Sequence, residues 1–247
     1  MLNGKVALIT GAGSGFGQGI AEAFAKKGAK VGLLDLNESA AQTVARGIGA
    51  HAMPISGDVT DRASLENAID AITDWAGTPN IVINNAGMGL VPQALEAVRE
   101  EDFDRVSAVN MKSIYLMSQL ITPIFKKSGG GVMLNIASTA GVSPRPNLTW
   151  YNASKGWVIT ATRSMAVELA AFNIRVNALN PVAGDTPMLG TFLGDDTPEN
   201  RQKFINTIPM GRLSTPEDIG SAAAFLCSDE ASLITGVTME VDGGRCI

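Results

Sequence analysis

Lys5-Val6-Ala7-Leu8-Ile9-Thr10-Gly11-Ala12-Gly13-Ser14-Gly15-Phe16-Gly17 reads as a strand running into a glycine turn. Lys5 to Thr10 is a short, almost continuous apolar run, the pattern of a strand buried on both faces of a parallel sheet. An amphipathic segment follows the glycines, with Ile20, Ala23, Phe24 and Ala25 on it, and Gly28 is placed to end it. Strand, glycine turn and helix in that order form the setting of a dinucleotide-binding turn. Glycines let the main chain approach a pyrophosphate, and the helix N-terminus offers unpaired N–H groups and a positive dipole end. The spacing is not G-x-G-x-x-G. Counted from Gly11, Gly13 or Gly15, the last position of that pattern is Phe16, Gln18 or Ile20. What stands here is Thr-Gly-x-x-x-Gly-x-Gly, and such a turn taken alone has a purely structural reading.

The next strand weakens that reading. Val31-Gly32-Leu33-Leu34 ends in Asp35, about twenty residues beyond the glycines, where an acid can bind the adenosine ribose hydroxyls. A carboxylate there repels a 2′-phosphate, and no Arg or Lys occupies Ser14, Leu36 or Asn37 to welcome one. The expected cofactor is therefore NAD rather than NADP. The competing reading of Asp35 is a turn starter with Asn37.

The same alternation continues along the chain. Apolar runs at His51–Ile55, Asn80–Ile83, Gly131–Ala137, Ile174–Asn180 and Val237–Val241 are the remaining strands. Helical patterns cover Asn37–Gly47, Thr60–Gly77, Asp102–Lys127 as one long helix, and Tyr151 to about Phe172. Thr215-Pro216-Glu217-Asp218 starts another, with a capping Thr, a proline at the first position and acids in the first turn. Seven strands alternating with helices imply a doubly wound α/β fold with a parallel sheet covered on both faces. With no repeat or linker, residues 1–247 read as a single domain. The stretch 182–214 is irregular yet carries Met188, Leu189, Phe192 and Leu193, the composition of a substrate lid.

Composition narrows the function classes. The chain has 247 residues, 45% hydrophobic and 17% charged, with net charge −5, so it can bury a sizeable core. The acidic balance argues against nucleic acid or an anionic membrane surface as the main partner. No apolar run approaches the ~20 residues that span a bilayer. The N-terminal residues lack a basic start followed by an apolar stretch, and the expected location is cytoplasmic. Cys227 and Cys246 have no metal-ligand spacing, and His51, the only histidine, reads as a surface residue of a strand.

Tyr151-Asn152-Ala153-Ser154-Lys155 opens the long helix after the fifth strand. Residues four apart share a helix face. A phenol titrates near ~10, and an adjacent ammonium lowers that value, so the pair is a candidate acid/base for an alcohol oxygen. Alone, it has a bland reading: a helix-start aromatic and a solvated lysine.

Taken together, Thr10-Gly11-x-x-x-Gly15-x-Gly17, Asn84-Asn85-Ala86-Gly87, Asn110, Ser138 and Tyr151-x-x-x-Lys155 resemble the short-chain dehydrogenase/reductase family, in its order and over essentially the whole chain. The resemblance implies a seven-stranded Rossmann-like fold and hydride transfer between a nicotinamide cofactor and an alcohol or carbonyl. It implies Tyr151 as general acid/base, with Lys155 lowering its pKa and holding the nicotinamide ribose. Ser138 would orient the substrate oxygen, and Asn110 would hold a water linking Lys155 to solvent. The implied cofactor set is Gly11, Ser14, Gly15, Phe16 and Gly17 in the turn, Asp35 and Leu36 at the ribose, and Asp58 and Val59 at the adenine. Asn85, Ala86 and Gly87 would lie below the cofactor, Pro181 and Val182 would lead into the lid, and Thr186 would bind the carboxamide. The family often has Pro-Gly where this chain has Pro181-Val182, and valine resists positive φ, which puts the loop path to Thr186 in question. The family is commonly tetrameric, with the helices around Asn110 and Tyr151 between subunits. Small residues Ala161, Ser164 and Ala166 would permit close helix approach.

Substrate selection falls to residues near the reacting carbon: Ala140, Val142, Arg145, Trp150, Met188, Leu189 and Phe192. Arg145 reads either as an anchor for an anionic group or as a solvated loop charge. The leading expectation is an NAD-dependent dehydrogenase of a secondary alcohol, polyol, sugar or hydroxy acid. The alternatives are an NADPH-dependent 3-ketoacyl-thioester reductase and a catalytically silent dinucleotide-binding protein.

Overall fold

A computed structural model describes residues 1–194 and 196–247. Seven strands form one parallel sheet: β1 Val6–Thr10, β2 Lys30–Asp35, β3 Ala52–Ser56, β4 Ile81–Asn84, β5 Gly131–Ile136, β6 Ile174–Pro181 and β7 Thr238–Val241, in the order β3-β2-β1-β4-β5-β6-β7. All seven fall within a residue or two of the positions expected from sequence. Alternate residues of β1 serve opposite faces, Ala7 and Ile9 in one core and Val6 and Leu8 in the other, as the two-residue period of a strand requires. Helices α1 (Gly15–Lys26), α2 (Glu38–Ile48) and α9 (Pro216–Cys227) cover the first face. Helices α3 (Arg62–Ala76), α5 (Ser113–Lys127) and α6 (Thr149–Leu169) cover the second.

Strand order reverses between β1 and β4, whose neighbours run outward in opposite directions. Loops leaving the carboxyl ends of these strands diverge there and leave a crevice. Thr10 staples its floor. Its hydroxyl donates to the Ile83 carbonyl at 3.3 Å and accepts the N–H groups of Asn85 and Ala86 at 3.0 and 2.9 Å.

One expectation gains detail and one changes. The pattern over Asp102–Lys127 is helical throughout, but α4 (Glu100–Ser107) passes through a single π turn, Ala108–Lys112, into α5. Asn110 sits in that turn, and its side chain is committed to Met88 and Ser154. The stretch 182–214 is not irregular throughout, for α7 (Leu189–Leu193) and α8 (Pro198–Ile205) lie within it; Asp195 lies outside the described residues. Thr197 caps α8 and Pro198 opens it, a start signal hidden among the Gly, Pro and Thr of the stretch. The start of α9 is as expected: Thr215 and Asp218 form a reciprocal capping box with Pro216 between them. No helix among the described residues is long and apolar enough to cross a membrane.

Candidate active site

The crevice is a cleft of about 690 Å³, within the roughly 300–1,000 Å³ of small-molecule sites. Its floor at one end is the glycine turn. Gly11 and Gly15 have φ of +62° and +54°, which side-chain-bearing residues avoid. A Cβ on Gly11 would stand 2.9 Å from Ala86 Cα, and one on Gly13 2.9 Å from an oxygen of Asp35. Ser14 makes no side-chain cap to α1, and no acid lies in the first turn, so that helix end is open to an anion.

Asp35 closes this end. One carboxylate oxygen accepts the Gly13 N–H and the other the Asn37 N–H, both at 2.8 Å. The turn reading and the ligand reading of Asp35 are therefore compatible. Each oxygen keeps a further lone pair, and the side chain still lines the cleft. Leu36, Asp58 and Val59 line the same end. The two cations that line the cleft among the described residues, Arg145 and Lys155, lie at the other end.

Gly11, Ser14, Gly15, Phe16, Asn85, Ala86, Gly87, Pro181, Val182 and Thr186 also line the cleft as expected. Gly17 does not. It lies one turn inside α1, where a Cβ would overlap the Gly11 carbonyl and stand 2.5 Å from Asn85 Nδ2, so its place is helix-against-turn packing. The Pro181-Val182 departure does not divert the chain. Val182 is buried at non-positive φ and extends the ladder, its N–H donating to the Val241 carbonyl at 3.2 Å. Close approach is instead met at Gly184, where a Cβ would meet the Phe16 ring. Thr186 arrives over the glycine turn, 3.3 Å from the Cβ position of Gly15. Thus the cleft fits a dinucleotide: a side-chain-free cradle, an open helix end and a carboxylate with free lone pairs.

At the other end Ser138, Tyr151 and Lys155 converge. Ser138 follows β5 and accepts the Ala140 N–H at 3.1 Å, and its hydroxyl acts on the Tyr151 phenol in favour of the ionised form. Lys155 Nζ donates to the Ile136 carbonyl at 2.9 Å and lies 6.0 Å from the Tyr151 ring centroid. Gly87 makes room, since a Cβ there would come 3.4 Å from both Lys155 Nζ and Asn110 Oδ1. Burial pushes the Tyr151 phenol up, opposed first by the Ser138 hydrogen bond and then by the charge of Arg145. Burial also lowers the Lys155 ammonium to about 8. The ammonium is turned to a main-chain carbonyl, and burial outweighs the favourable neighbours. Asn110 is likewise committed. Its amide grips both main-chain polar groups of Met88 at 2.9 and 3.0 Å and donates to Ser154 Oγ at 3.0 Å. It thereby fixes the chain from β4 against the helix that carries Tyr151.

Among the expected substrate residues, Ala140, Arg145, Met188, Leu189 and Phe192 line the cleft. Val142 and Trp150 do not. Val142 is exposed. Trp150, one residue before Tyr151 and so a quarter-turn away, packs edge-on to Phe103 at 5.5 Å and donates to the Leu95 carbonyl. Leu148, three residues before Tyr151, shares its face and takes that place. Gly89 was also missed. A Cβ there would stand 2.8 Å from the Phe192 ring, which itself lies 5.1 Å from the Tyr151 ring. The alternation Gly87-x-Gly89 was its only sequence signal.

A family profile described as enoyl-(acyl carrier protein) reductase matches residues 11–245. The chain belongs to the short-chain dehydrogenase/reductase family. It is 46% identical over its whole length, and 99% of the relative's, to a 4-formylbenzenesulfonate dehydrogenase of Comamonas testosteroni. It is 36% identical, over 100% and 99% of the two chains, to a 3-oxoacyl-[acyl-carrier-protein] reductase of Thermotoga maritima. A crystal structure of 3-ketoacyl-(acyl-carrier-protein) reductase from Brucella melitensis complexed with NADH superposes with a TM-score of 0.95 at 50% identity, covering both chains completely. As a member of this family the protein is an oxidoreductase of the nicotinamide dinucleotide class.

Proposed function

We propose that this short-chain dehydrogenase/reductase exchanges a hydride between NAD(H) and the oxygen-bearing carbon of a secondary alcohol or ketone, with a polyol, sugar or hydroxy acid within that class. The observation that carries this reading is the polarity of the cleft, with Asp35 at one end and Ser138, Tyr151 and Lys155 at the other. Gly11 to Phe16 would hold the pyrophosphate, Asp35 the adenosine ribose, Asp58 and Val59 the adenine, and Thr186 the carboxamide. Lys155 would hold the nicotinamide ribose with the two N–H groups that Ile136 leaves free. The bound nicotinamide supplies or accepts the hydride.

The side chains manage the oxygen. Ser138 holds it against Tyr151, whose phenol, kept protonated by burial, donates its proton as the carbonyl is reduced. In the oxidative direction the phenolate takes the hydroxyl proton, helped by the Lys155 charge and the Ser138 hydrogen bond. Asn110 positions this set through Met88 and Ser154. Residues 182–214, packing Phe192 on Tyr151, exclude water as a lid.

Asp35 and the absence of a cation beside it support NAD over NADP. Reduction of a 3-ketoacyl thioester is the second reading, supported by the names of two relatives. One of them was crystallised with NADH, so NADH use does not by itself exclude this reading. We further infer one domain over 1–247, a cytoplasmic location and a homotetramer. Ala166 is buried against its own sheet and leaves Ala161 and Ser164 for helix contact.

A screen of NAD⁺ and NADP⁺ reduction across secondary alcohols, polyols, sugars and hydroxy acids, with the reverse reductions, tests the assignment. NAD(H) turnover at least tenfold above NADP(H) is expected, and Tyr151→Phe should lower kcat by about 10²–10⁴. A strong NADPH preference would overturn the cofactor assignment. Unchanged turnover in Tyr151→Phe would overturn the proton-transfer role.

A further inference from the structure

Three polar side chains outside the cleft form a buried chain from β4 through β5 to α6. Asn135, one residue before the end of β5, is fully buried. Its Oδ1 accepts the Asn84 amide at 2.8 Å, and its Nδ2 donates to Thr162 Oγ1 on α6 at 2.8 Å. Asn84 ends β4 and stands opposite Asn135 in the ladder. Thr162 is likewise fully buried. None of the three lines the cleft, so none touches cofactor or substrate.

The surroundings are apolar. Met133 and Ala137, two residues to either side of Asn135 and on its face of β5, belong to the clusters that contain Ala166 and Val158 of α6. An unpaired polar group in such a place costs about 1–3 kcal/mol, whereas apolar side chains of the same shape fill it at little net cost. Stability alone does not call for these hydrogen bonds. What they add is position, because directional bonds hold one register where apolar contacts tolerate small slides. The register they hold is that of the helix carrying Tyr151 and Lys155. Thr162 lies about two turns, or ~10.5 Å, beyond Lys155 on the same face. Ile136, the residue after Asn135, offers the carbonyl that accepts Lys155 Nζ at 2.9 Å. Adjacent residues of β5 thus grip α6 at two levels, one by a side chain and one by the main chain. At the other end of the chain, Asn84 leads directly into Asn85, Ala86 and Gly87 on the cleft wall, and a Cβ on Gly87 would come 3.4 Å from the same Nζ.

We propose that the Asn84–Asn135–Thr162 chain sets the height of α6 on the sheet and so seats the Lys155 ammonium between the Ile136 carbonyl and the Gly87 turn. Asn135 and Thr162 are positioning residues, acting through Lys155. They complement Asn110, which ties Ser154, near the start of the same helix, to Met88. With the Asn135–Thr162 bond cut, α6 is free to slide on its apolar face, and a displacement of about 1 Å is enough to misplace a functional group. The long lysine side chain then exchanges its dry seat for the water of the cleft. The consequence for cofactor binding rests on the reaction proposed above; the seating of Lys155 does not.

The test follows the Lys155 ammonium by NMR in protein carrying carbon-13 at lysine Cε, with its signal assigned by loss in Lys155→Met. Wild type should titrate near pH 8. Thr162→Val removes the hydroxyl from a side chain of the same shape. It should move the midpoint at least half a unit toward the ordinary 10.5 and raise the Kd for NADH at least threefold. Thr162→Ser keeps the hydroxyl and should hold both values. Asn135→Leu should shift the midpoint at least as far as Thr162→Val; if it does not fold, Thr162→Val still decides. Gly19→Ala, strained where α1 meets Pro216, controls for lost stability alone and should leave the midpoint in place. A midpoint unmoved in Thr162→Val, or moved equally in Thr162→Ser or Gly19→Ala, would overturn the proposal. A wild type that does not bind NADH would count against the proposed cofactor, and the lysine midpoints would then still decide the role of Thr162.

Discussion

Burial acts on Tyr151 and Lys155 in one direction, against charge, and so moves their proton affinities oppositely. The phenol goes up and the ammonium comes down to about 8. At neutral pH the pair therefore rests as phenol and ammonium, the state for protonating a carbonyl oxygen. Lys155 also leaves a mark on stability. Its folded value of about 8 lies below the ordinary 10.5, so between these limits the unfolded chain binds more protons than the native one. Stability from this group then rises with pH across that window and is lost as pH falls through about 8. Denaturant titrations from pH 7.5 to 10.5 should show this rise in the wild type and its absence in Lys155→Met; equal slopes would place the lysine in a wetter setting. The spacing of Tyr151 and Lys155 was legible in the sequence. Their shared burial was not, because it comes from β5, the Gly87 turn and Phe192 of α7 together.

At the level of elements, glycines decide which surfaces meet. Helices α1 and α9 cross where Gly19 faces Pro216 and Gly220 faces the Gly19 carbonyl, whose oxygen would lie 2.5 Å from a Cβ on Gly220. Gly19→Ala drives a methyl into the Pro216 backbone and should cost about 1–3 kcal/mol, seen as a Tm roughly 2–4 °C lower per kcal/mol. Gly190, inside α7, has no atom within 4 Å of its Cβ position. Gly190→Ala should raise stability by about 0.5–1 kcal/mol through helix propensity. A thermal melt of the pair checks both signs, and a destabilised Gly190→Ala would mean that the lid helix moves against a neighbour. Neither glycine stood out in the sequence, since the contact that defines Gly19 is made by a helix about two hundred residues away. The π turn at Asn110 was hidden too, because it keeps the helical apolar pattern on both sides.

Over the whole molecule, the reversal of strand order between β1 and β4 opens the cleft in which the distant motifs meet. A ligand that lies across this cleft touches the glycine turn, the β4 loop, α6 and the lid at once, so its binding should register as global stability. NADH at a hundred times its Kd should add about 2.7 kcal/mol, raising Tm by roughly 5–11 °C for a chain of this size. NADPH at the same concentration should give a markedly smaller shift, because of Asp35. Equal shifts would show that the carboxylate does not discriminate.

The seven strands, most of the helices and the order of the motifs were legible from the amino-acid sequence, because hydrophobic period, caps and glycine turns are local properties. The same holds for Asp35, the last residue of its strand, and for the capping box at Thr215. What only the tertiary structure decided depends on contacts between distant segments. Gly17 serves packing rather than the cleft, and Leu148 replaces Trp150 on the substrate wall. Val182, just past the end of β6, is buried and donates its N–H to the Val241 carbonyl. A helix face or a burial set by a segment a hundred residues away has no local signal; it exists only after the sheet has brought its partners together.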